Sequence, residues 1–571
     1  MKAADAFAKF LAAHQVTSCF ELAGGMITHL LDSLARDGRF NIISMHHEQS
    51  AAFAAEGVAR QTMGRRIAMA MGTSGPGATN LITGIGSCWL DSVPCLFITG
   101  QVNTYELKGQ RAVRQQGFQE LNIIPMVASI TKHSAQVTDA LSLLPELHAA
   151  LSAALSCRQG PVLLDIPNDV QRAEIPDALV AEWLALPLNL SVNPGVDATV
   201  LARLAEMCRA AERPLVCFGG GARWAPALTD WILDLEEHGI PYVSTLMGHE
   251  RVPCGGHYLN MIGTYGNREA NWAVQNCDLL IVIGARLDVR QTGADVADFA
   301  RMAKVVQIDI DPAQLHNRVR NDLAICCGAE DFFKSFRVDG GLFHSRSADW
   351  AVRLREMRVH SDVDEYKEWA ISPCGVFKLL NQVMAGTQVD YVCDVGNHQM
   401  WAAQSLRLGN GQAVHYSGGM GAMGFALPTA IGMAINSGGK AIVITGDGSL
   451  QINIQELDTV KRLGLDIAII VMNNDSLGMV RNFQDMYFDG RNQSTKVGYS
   501  APDFVALARA YGIDSYRVAS HKDMVKIIGM IAGKQKPMLI DLVMPYATEC
   551  RPRLAYGNKL DEQIPSFSLA D

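Results

Sequence analysis

Residues 441–479, AIVITGDGSLQINIQELDTVKRLGLDIAIIVMNNDSLGM, constrain the fold of this chain more than any other stretch. Residues 441–445 are a short apolar run rich in β-branched side chains, which fits a parallel strand buried on both faces. Gly446-Asp447-Gly448-Ser449 breaks that run. Ile454, Leu457, Val460 and Leu463 then recur at helical spacing with charged residues between them, which predicts an amphipathic helix. A second buried strand, 466–472, ends in Asn473-Asn474. Parallel strands joined by a helix cross over right-handedly, so both strand ends emerge at the same carboxyl edge and Asp447 can meet Asn474.

One carboxylate, one amide oxygen and nearby backbone carbonyls form an all-oxygen set suited to a hard divalent cation such as Mg2+, with room left for phosphate oxygens. The glycines let the backbone approach such an anion closely. GDGS followed by a helix, a strand and NN resembles the thiamine-diphosphate motif of thiamine-dependent enzymes. That resemblance implies that Asp447, Asn474 and the carbonyl of Ser476 hold the metal that bridges the diphosphate. It also places Gly446, Gly448 and Ser449 in the cofactor turn and Leu477, Gly478 and Met479 in the wall over the thiazolium.

The chain has 571 residues, too many for one core, and its length suggests three or four domains. A net charge of −9 argues against a general nucleic-acid or acidic-membrane binder. No apolar run approaches the length of a membrane span. The opening MKAADAFAKFLAAH alternates charged and apolar residues at helical spacing and reads as a helix, not a signal peptide. Thirteen cysteines, an odd number with no C-x-x-C pair, suit a reduced compartment, and the expected location is cytoplasmic.

The first segment, 1–170, repeats a strand, glycine turn and helix, the rhythm of a doubly wound α/β domain. Strands at 17–22, 41–45, 67–71 and 93–99 lead into Gly24-Gly25, His46-His47-Glu48, the turn 72–77 and Gly100-Gln101. A carboxylate such as Glu48 at a helix start has an ordinary stabilising role. However, HEQ-x-A-x-x-x-A-E-G-x-A-R from His47 and TSGPGATN from Thr73 both resemble the pyrimidine-binding domain of the acetolactate-synthase-like family. There, a carboxyl hydrogen-bonded to the aminopyrimidine ring promotes the imino tautomer that deprotonates the thiazolium. The resemblance assigns that task to Glu48, puts Gly25 and Gly75 against the cofactor, and puts Gln101 and Phe118 along the substrate channel. Simple packing is an equal reading for Phe118. Adjacent His46 and His47 point apart and make a poor metal pair. After Pro167 the chain reads as a surface linker.

A second domain, 190–345, carries strands at 215–218, 279–283 and 305–310, the first two running into Gly219-Gly220-Gly221 and Gly284-Ala285-Arg286. Thr245-Leu246-Met247-Gly248 and the run 284–293 resemble the FAD-binding middle domain of acetolactate synthases. FAD would then be held by Arg158, Gly219, Gly220, Gly221, Thr245, Leu246, Gly284, Arg286, Asp288, Arg290 and Asp309. The alternative is a domain that keeps the fold and binds nothing. A charged linker, 345–367, leads to the third domain, 370–550, and a tail, 551–571. In the third domain a strand at 391–395 ends at Gly396-Asn397-His398, and by resemblance Asn397 and His398 face the cofactor. Gly419-x-Gly421-x-x-Gly424 matches a dinucleotide fingerprint but lacks the acidic residue that would support it. The resemblance instead has Met423 support the bent cofactor and the Gly421 carbonyl accept from its aminopyrimidine; core packing is the plain alternative for Met423.

Two positions depart from true acetolactate synthases. Phe483 stands where those usually carry Trp, and Val289 replaces the acidic residue before the substrate-anchoring Arg290. Phe483 therefore shapes the acceptor site differently. The runs 114–120, 483–488 and 498–504 look closer to acetolactate-synthase-like carboligases of surface-polysaccharide and branched-sugar clusters. The expectation is an α/β protein of three doubly wound parallel-sheet domains: a thiamine-diphosphate-dependent carboligase moving a two-carbon unit from pyruvate to a 2-keto acid, ketone or aldehyde. A true acetolactate synthase of branched-chain amino acid synthesis and a pyruvate decarboxylase or oxidase of the same fold stay open. Intact Glu48, Asp447 and Asn474 argue against a non-catalytic paralogue. The family places Glu48 of one subunit against the diphosphate site of another, which implies a homodimer or homotetramer.

Overall fold

The computed structural model describes residues 1–191, 193 and 195–567. Three six-stranded sheets, parallel throughout, follow one another along the chain. The first contains β1 (Ser18–Glu21), β2 (Asn41–Ser44), β3 (Met69–Gly72), β4 (Leu96–Gln101), β5 (His133–Gln136) and β6 (Val162–Pro167) in the order β2-β1-β3-β4-β6-β5. The second contains β7 (Pro214–Phe218), β8 (Tyr242–Ser244), β9 (Tyr258–Met261), β10 (Leu279–Ile283), β11 (Lys304–Asp309) and β12 (Leu323–Cys326) in the order β12-β11-β10-β7-β8-β9. The third contains β13 (Val389–Cys393), β14 (Gln412–Tyr416), β15 (Ala441–Gly446), β16 (Ile467–Asn473), β17 (Asp514–Val518) and β18 (Met538–Val543) in the order β14-β13-β15-β16-β18-β17.

The first and third sheets therefore share one strand order. Each sheet reverses direction beside its founding strand, at β1/β3, β7/β10 and β13/β15, and in the first and third the last two strands also swap, β6 lying between β4 and β5 and β18 between β16 and β17. Such switch points open a crevice beyond the carboxyl ends of the strands. The sequence puts its glycine turns at those places: Gly24-Gly25 and Gly75, Gly219–Gly221 and Gly284, Gly396 and Gly446.

β15 is buried along its whole length, as expected for a parallel strand covered on both faces. Its pairing with β16 runs to Gly446 opposite Met472, which brings Asp447 level with the Asn473-Asn474 end. The helix expected after the GDGS turn begins earlier, at Asp447, and the span is divided into Asp447–Ile452, a short 3-10 turn and Leu457–Arg462. Asn453 causes the break: its side chain donates to Gly424 O (2.8 Å) and accepts from Ser50 Oγ (3.0 Å).

Two stretches expected to be linkers are helical. Asn168–Arg172 and Asp177–Ala185 return to the first domain, where Val170 and Val180 join its core. Ser347–Ser361 covers the middle sheet with Trp350, Leu354 and Met357. The tail makes a two-stranded hairpin, β19 (Arg553–Leu554) with β20 (Gln563–Ile564), tied to the middle domain by Leu554 N to Thr264 O (2.7 Å). Among the described residues no helix is long and apolar enough to cross a membrane.

Candidate active site

At the β13/β15 switch point, Asp447 opens its helix and is 2% exposed. Its Oδ2 accepts from Ser476 N (3.1 Å) and from the Tyr499 hydroxyl (2.9 Å), leaving Oδ1 open to a cation. Asn474 turns its amide nitrogen to Ala547 O (2.7 Å), which frees its oxygen for the same task. Burial pushes the Asp447 carboxyl up to about 6, and the Tyr499, Ser476 and Asn474 donors only partly offset that. A divalent cation would reverse this by favouring the carboxylate. Among the described residues no three His, Cys, Asp or Glu side chains cluster as a metal site. The donor set here is one carboxylate, one amide and backbone carbonyls, which suits Mg2+.

The surroundings fit a bulky polar ligand. Both amide atoms of Asn397 and Nε2 of His398 are buried without a partner among the described residues, and such groups cost about 1–3 kcal/mol each unless something satisfies them. Burial pushes the His398 imidazole down to about 3, so it is neutral and can donate or accept. A Cβ at Gly448 would lie 2.4 Å from Leu477 Cδ2, and one at Gly478 2.5 Å from Asn474 Nδ2 and 2.7 Å from Asn397 Nδ2. These glycines let Asn397, Asn474 and Leu477 converge. Ser449 turns away, its hydroxyl donating to Val395 O (2.9 Å).

The loop between β14 and the helix Ala426–Ser437 carries Gly421 and Met423 to the same edge. Met423 Cε lies 3.4 Å from the position of a Gly448 Cβ, and Gly421 has φ +65 with open space around it. Gly424 N donates to Asp394 Oδ1 (2.9 Å), so the G-x-G-x-x-G run is an anchored loop of the third domain, not a dinucleotide turn.

Glu48 begins the helix Glu48–Gln61 and is 5% exposed. Asn80 Nδ2 donates to its Oε2 (2.9 Å), and its Oε1 lies 3.2 Å from where a Gly77 Cβ would sit, so it faces the TSGPGATN turn with Gly75 at φ +64. No hydrogen bond or ion pair among the described residues joins Glu48 or Asn80 to Asp447, Asn474 or Ser476 of the same chain. His47 caps its own helix through Gln49 N (3.0 Å) while His46 reaches Asp458 (2.9 Å), so the two imidazoles diverge as expected.

Gln101 does not line an open channel in this chain. It is 1% exposed, with its amide nitrogen donating to Leu121 O (2.7 Å) and Asp165 Oδ2 (3.0 Å). Phe118 is 80% exposed, which removes the packing reading within the single chain. Gly25 stands at the β1/β3 crevice with nothing within 4 Å of a Cβ.

In the middle domain, one cleft at the β7/β10 switch point gathers Arg158, Gly220, Gly221, Thr245, Gly284, Arg286 and Asp309. Gly219 lies just behind it, where a Cβ would strike Gly284 O at 2.2 Å. Burial pushes the Asp309 carboxyl up. Leu246 packs on the third-domain core instead of lining the cleft. Asp288 and Arg290 also lie outside its wall. Asp288 caps the turn Val289–Thr292 through Arg290 N (2.9 Å), and Thr264 N donates to the Arg290 carbonyl (2.7 Å). The neighbouring Tyr265 hydroxyl meets Met479 Sδ (3.2 Å), so the Arg290 segment reaches the helix Gly478–Tyr487 that carries Phe483. Phe483 is half-exposed and packs against Tyr487 (4.8 Å between ring centres).

Residues 1–126, 201–336 and 394–542 match, in turn, the families described as thiamine pyrophosphate enzyme N-terminal TPP binding domain, central domain and C-terminal TPP binding domain. The acetolactate synthase large subunit of Parasynechococcus marenigrum is 34% identical over 566 residues, covering 96% of this chain and 89% of that protein. The large subunit of Cyanidium caldarium is 34% identical, covering 98% and 96%. Acetolactate synthase 1, chloroplastic, of Nicotiana tabacum is 33% identical, covering 99% and 85%. The chain belongs to the thiamine-diphosphate-dependent, acetolactate-synthase-like family.

As a member of that family it is a thiamine-diphosphate-dependent transferase that forms carbon–carbon bonds. Its site includes residues that pattern reading did not single out. Tyr499 sits in a stretch without helical or strand periodicity, so nothing local marks its hydroxyl as a partner of Asp447. Asn80 closes the TSGPGATN motif and could have been proposed from there as a partner for Glu48. Asp394 follows β13 by one residue and takes backbone donors from a loop thirty residues on, a pairing visible only in three dimensions.

Proposed function

We propose that this member of the family decarboxylates pyruvate and adds the two-carbon unit to a carbonyl acceptor, with Mg2+ and thiamine diphosphate at the β13/β15 switch point. The convergence of Asp447, Asn474, Ser476 and Met423 on the unpartnered Asn397 and His398 carries this reading. Bound there, thiamine diphosphate would supply an acidic thiazolium carbon as nucleophile and an electron sink for loss of CO2. Asp447 Oδ1, the Asn474 amide oxygen and the Ser476 carbonyl would hold the cation. Glu48 would hold a proton at the ring nitrogen of the aminopyrimidine, with Asn80 fixing its carboxyl. The Gly421 carbonyl would accept from the aminopyrimidine amine while Met423 keeps the bend. Arg290 would bind the substrate carboxylate, with Phe483 and Tyr487 bounding the acceptor.

The middle-domain cleft is our proposed FAD site, with Arg158, Arg286 and the Gly220-Gly221 turn against the phosphates. All thirteen cysteines are free thiols, which supports a cytoplasmic location. Among the described residues no hydrogen bond or ion pair joins Glu48 to Asp447 within one chain, which supports a homo-oligomer with sites between subunits.

The deciding experiment incubates the purified protein with pyruvate, Mg2+ and thiamine diphosphate, with and without 2-keto acid, ketone and aldehyde acceptors, and reads products by mass spectrometry. Acetolactate from pyruvate alone, undiminished by competing acceptors, identifies a true acetolactate synthase. Tertiary-alcohol products in preference to acetolactate identify a specialised carboligase. Acetaldehyde or acetate with CO2 and no ligation product overturns the carboligase reading.

A further inference from the structure

The loop that carries Gly421 and Met423 is held by one buried carboxylate from each of the three domains. Where β14 ends, Tyr416 N donates to Glu250 Oε1 of the middle domain (3.0 Å). Next, Gly418 N and Gly419 N donate to Asp91 Oδ2 (3.2 Å) and Oδ1 (2.8 Å) of the first domain. Beyond the tip, Gly424 N and Ala426 N donate to Asp394 Oδ1 (2.9 Å) and Oδ2 (3.1 Å) of the third domain itself. Residues 420–423 lie between these clamps, tied within the loop by Ala422 N donating to Ser417 Oγ (3.1 Å), and that tip contains the two residues assigned to the cofactor.

Asp91, like Glu250, is a clamp that another domain supplies, and it is the one that holds Gly418 and Gly419 beside the tip. It is the last residue of the helix Pro76–Asp91, and its carboxylate is fixed by Arg60 Nη2 (2.5 Å), which also holds Glu56 (2.6 Å) and Glu250 (3.0 Å). Arg223 donates to the Asp91 carbonyl (2.6 Å) and closes the cluster as an ion pair with Glu250 (3.0 Å) that lacks hydrogen-bond geometry. Every member is buried, so the geometry is held by charge-assisted bonds shielded from water. The fit at the loop is tight: a Cβ on Gly419 would lie 2.6 Å from Leu90 Cβ and 2.8 Å from Asp91 Oδ1.

We propose that Asp91 is a positioning residue for the thiamine site, setting the location of Gly421 and Met423 through the backbone of Gly418 and Gly419. This rests on the assignment of Met423 to the cofactor, and the test separates the two. Two variants disturb the same contact by different routes. Asp91→Asn keeps the volume but turns an amide donor toward a backbone N–H. Gly419→Ala pushes the loop off the carboxylate and leaves the ionic cluster intact, which covers the case where Asp91→Asn fails to fold. Binding of thiamine diphosphate with Mg2+ is read by tryptophan fluorescence, and near-ultraviolet circular dichroism reports the aminopyrimidine. Each variant should weaken binding about tenfold, as loss of a charged hydrogen bond does. A cycle with Met423→Ala should be strongly non-additive, because both act through one loop. Folded Asp91→Asn or Gly419→Ala protein that binds within about twofold of the parent, or full additivity with Met423→Ala, overturns the proposal. Unchanged binding by Met423→Ala alone would instead overturn the Met423 assignment beneath it.

Discussion

Glu48 and Asp165 are both buried carboxyls of the first domain, and their surroundings suit them to different tasks. Glu48 has one side-chain donor, Asn80, and sits at a helix start. Its replacement by Gln removes a favourable charge there, worth about 0.3–1 kcal/mol, and removes a carboxyl from the proposed proton relay. Glu48→Gln is expected to stay folded and to bind thiamine diphosphate, while pyruvate turnover falls by roughly 10²–10⁴-fold. Steady-state kinetics alongside a binding titration check this, and undiminished turnover would remove Glu48 from the mechanism. Asp165 is 1% exposed and takes donors from Thr99 (2.7 Å), Gln101 (3.0 Å) and Gln136 (2.8 Å). Burial nevertheless pushes its carboxyl up to about 6. The folded chain keeps this proton to about pH 6 and the unfolded chain loses it near 4, so the contribution is complete below pH 4 and fades as pH rises through 6. The total is about 3 kcal/mol at most. Asp165→Asn has no such dependence. The Tm of the parent relative to that variant should therefore fall between pH 4 and pH 7, and thermal scans with a constant gap would contradict the raised carboxyl.

At the scale of elements, the first and third domains meet where the helices Glu48–Gln61 and Ala426–Ser437 cross with almost no side chain between them. A Cβ on Gly57 would lie 2.2 Å from Thr429 O, and one on Gly432 1.9 Å from Ala54 O. Alanine at 432 gains about 1 kcal/mol of helix propensity but must separate two backbones, a strain of about 1–3 kcal/mol or more. Gly432→Ala is expected to lower Tm, whereas Gly533→Ala, with nothing within 4 Å of the new methyl, should leave it nearly unchanged. Equal Tm values for the two would show that the crossing relaxes freely. The alanine-rich pattern of 49–60 announced a helix but not its partner, because small residues pack equally well against many surfaces. The strands β1–β4, β7, β10, β11, β13, β15 and β16 were legible for the opposite reason, since buried parallel strands are continuous apolar runs bounded by glycine, whereas β5 and β17 are polar and only partly buried and gave no such run. The helices Asp177–Ala185 and Ser347–Ser361 escaped because prolines flank the first and charged residues populate the second, although each buries an apolar stripe. Asp447 and Asn474 were legible because β15 and β16 are adjacent in sequence and in the sheet. Asp91 was not, because the loop it holds lies more than three hundred residues away.

For the whole molecule, the shared strand order of the first and third sheets makes them near-equivalent halves, joined through the helices Glu48–Gln61 and Ala426–Ser437. Glu48 lies on one half and Asp447 on the other, with separate hydrogen-bond partners within the chain. A second copy can then present its Glu48 to this chain's Asp447 while receiving the same service in return, the reciprocity of a two-fold assembly. Subunit mixing decides the arrangement without a structure of the complex. Glu48→Gln and Asp447→Ala proteins should each be nearly inactive alone. If sites form between subunits, co-refolding or co-expressing equal amounts lets mixed dimers carry one site with both native residues. Random pairing then restores about a quarter of parental activity, since half the dimers are mixed and each has one intact site of two. If Glu48 instead served its own chain, every site in the mixture would lack one of the two groups and activity would stay at the level of the separate variants. A recovered fraction near one quarter, rising with the proportion of mixed dimers isolated by differential tags, would establish the exchange. No recovery in a mixed dimer confirmed by mass would assign both groups to one subunit.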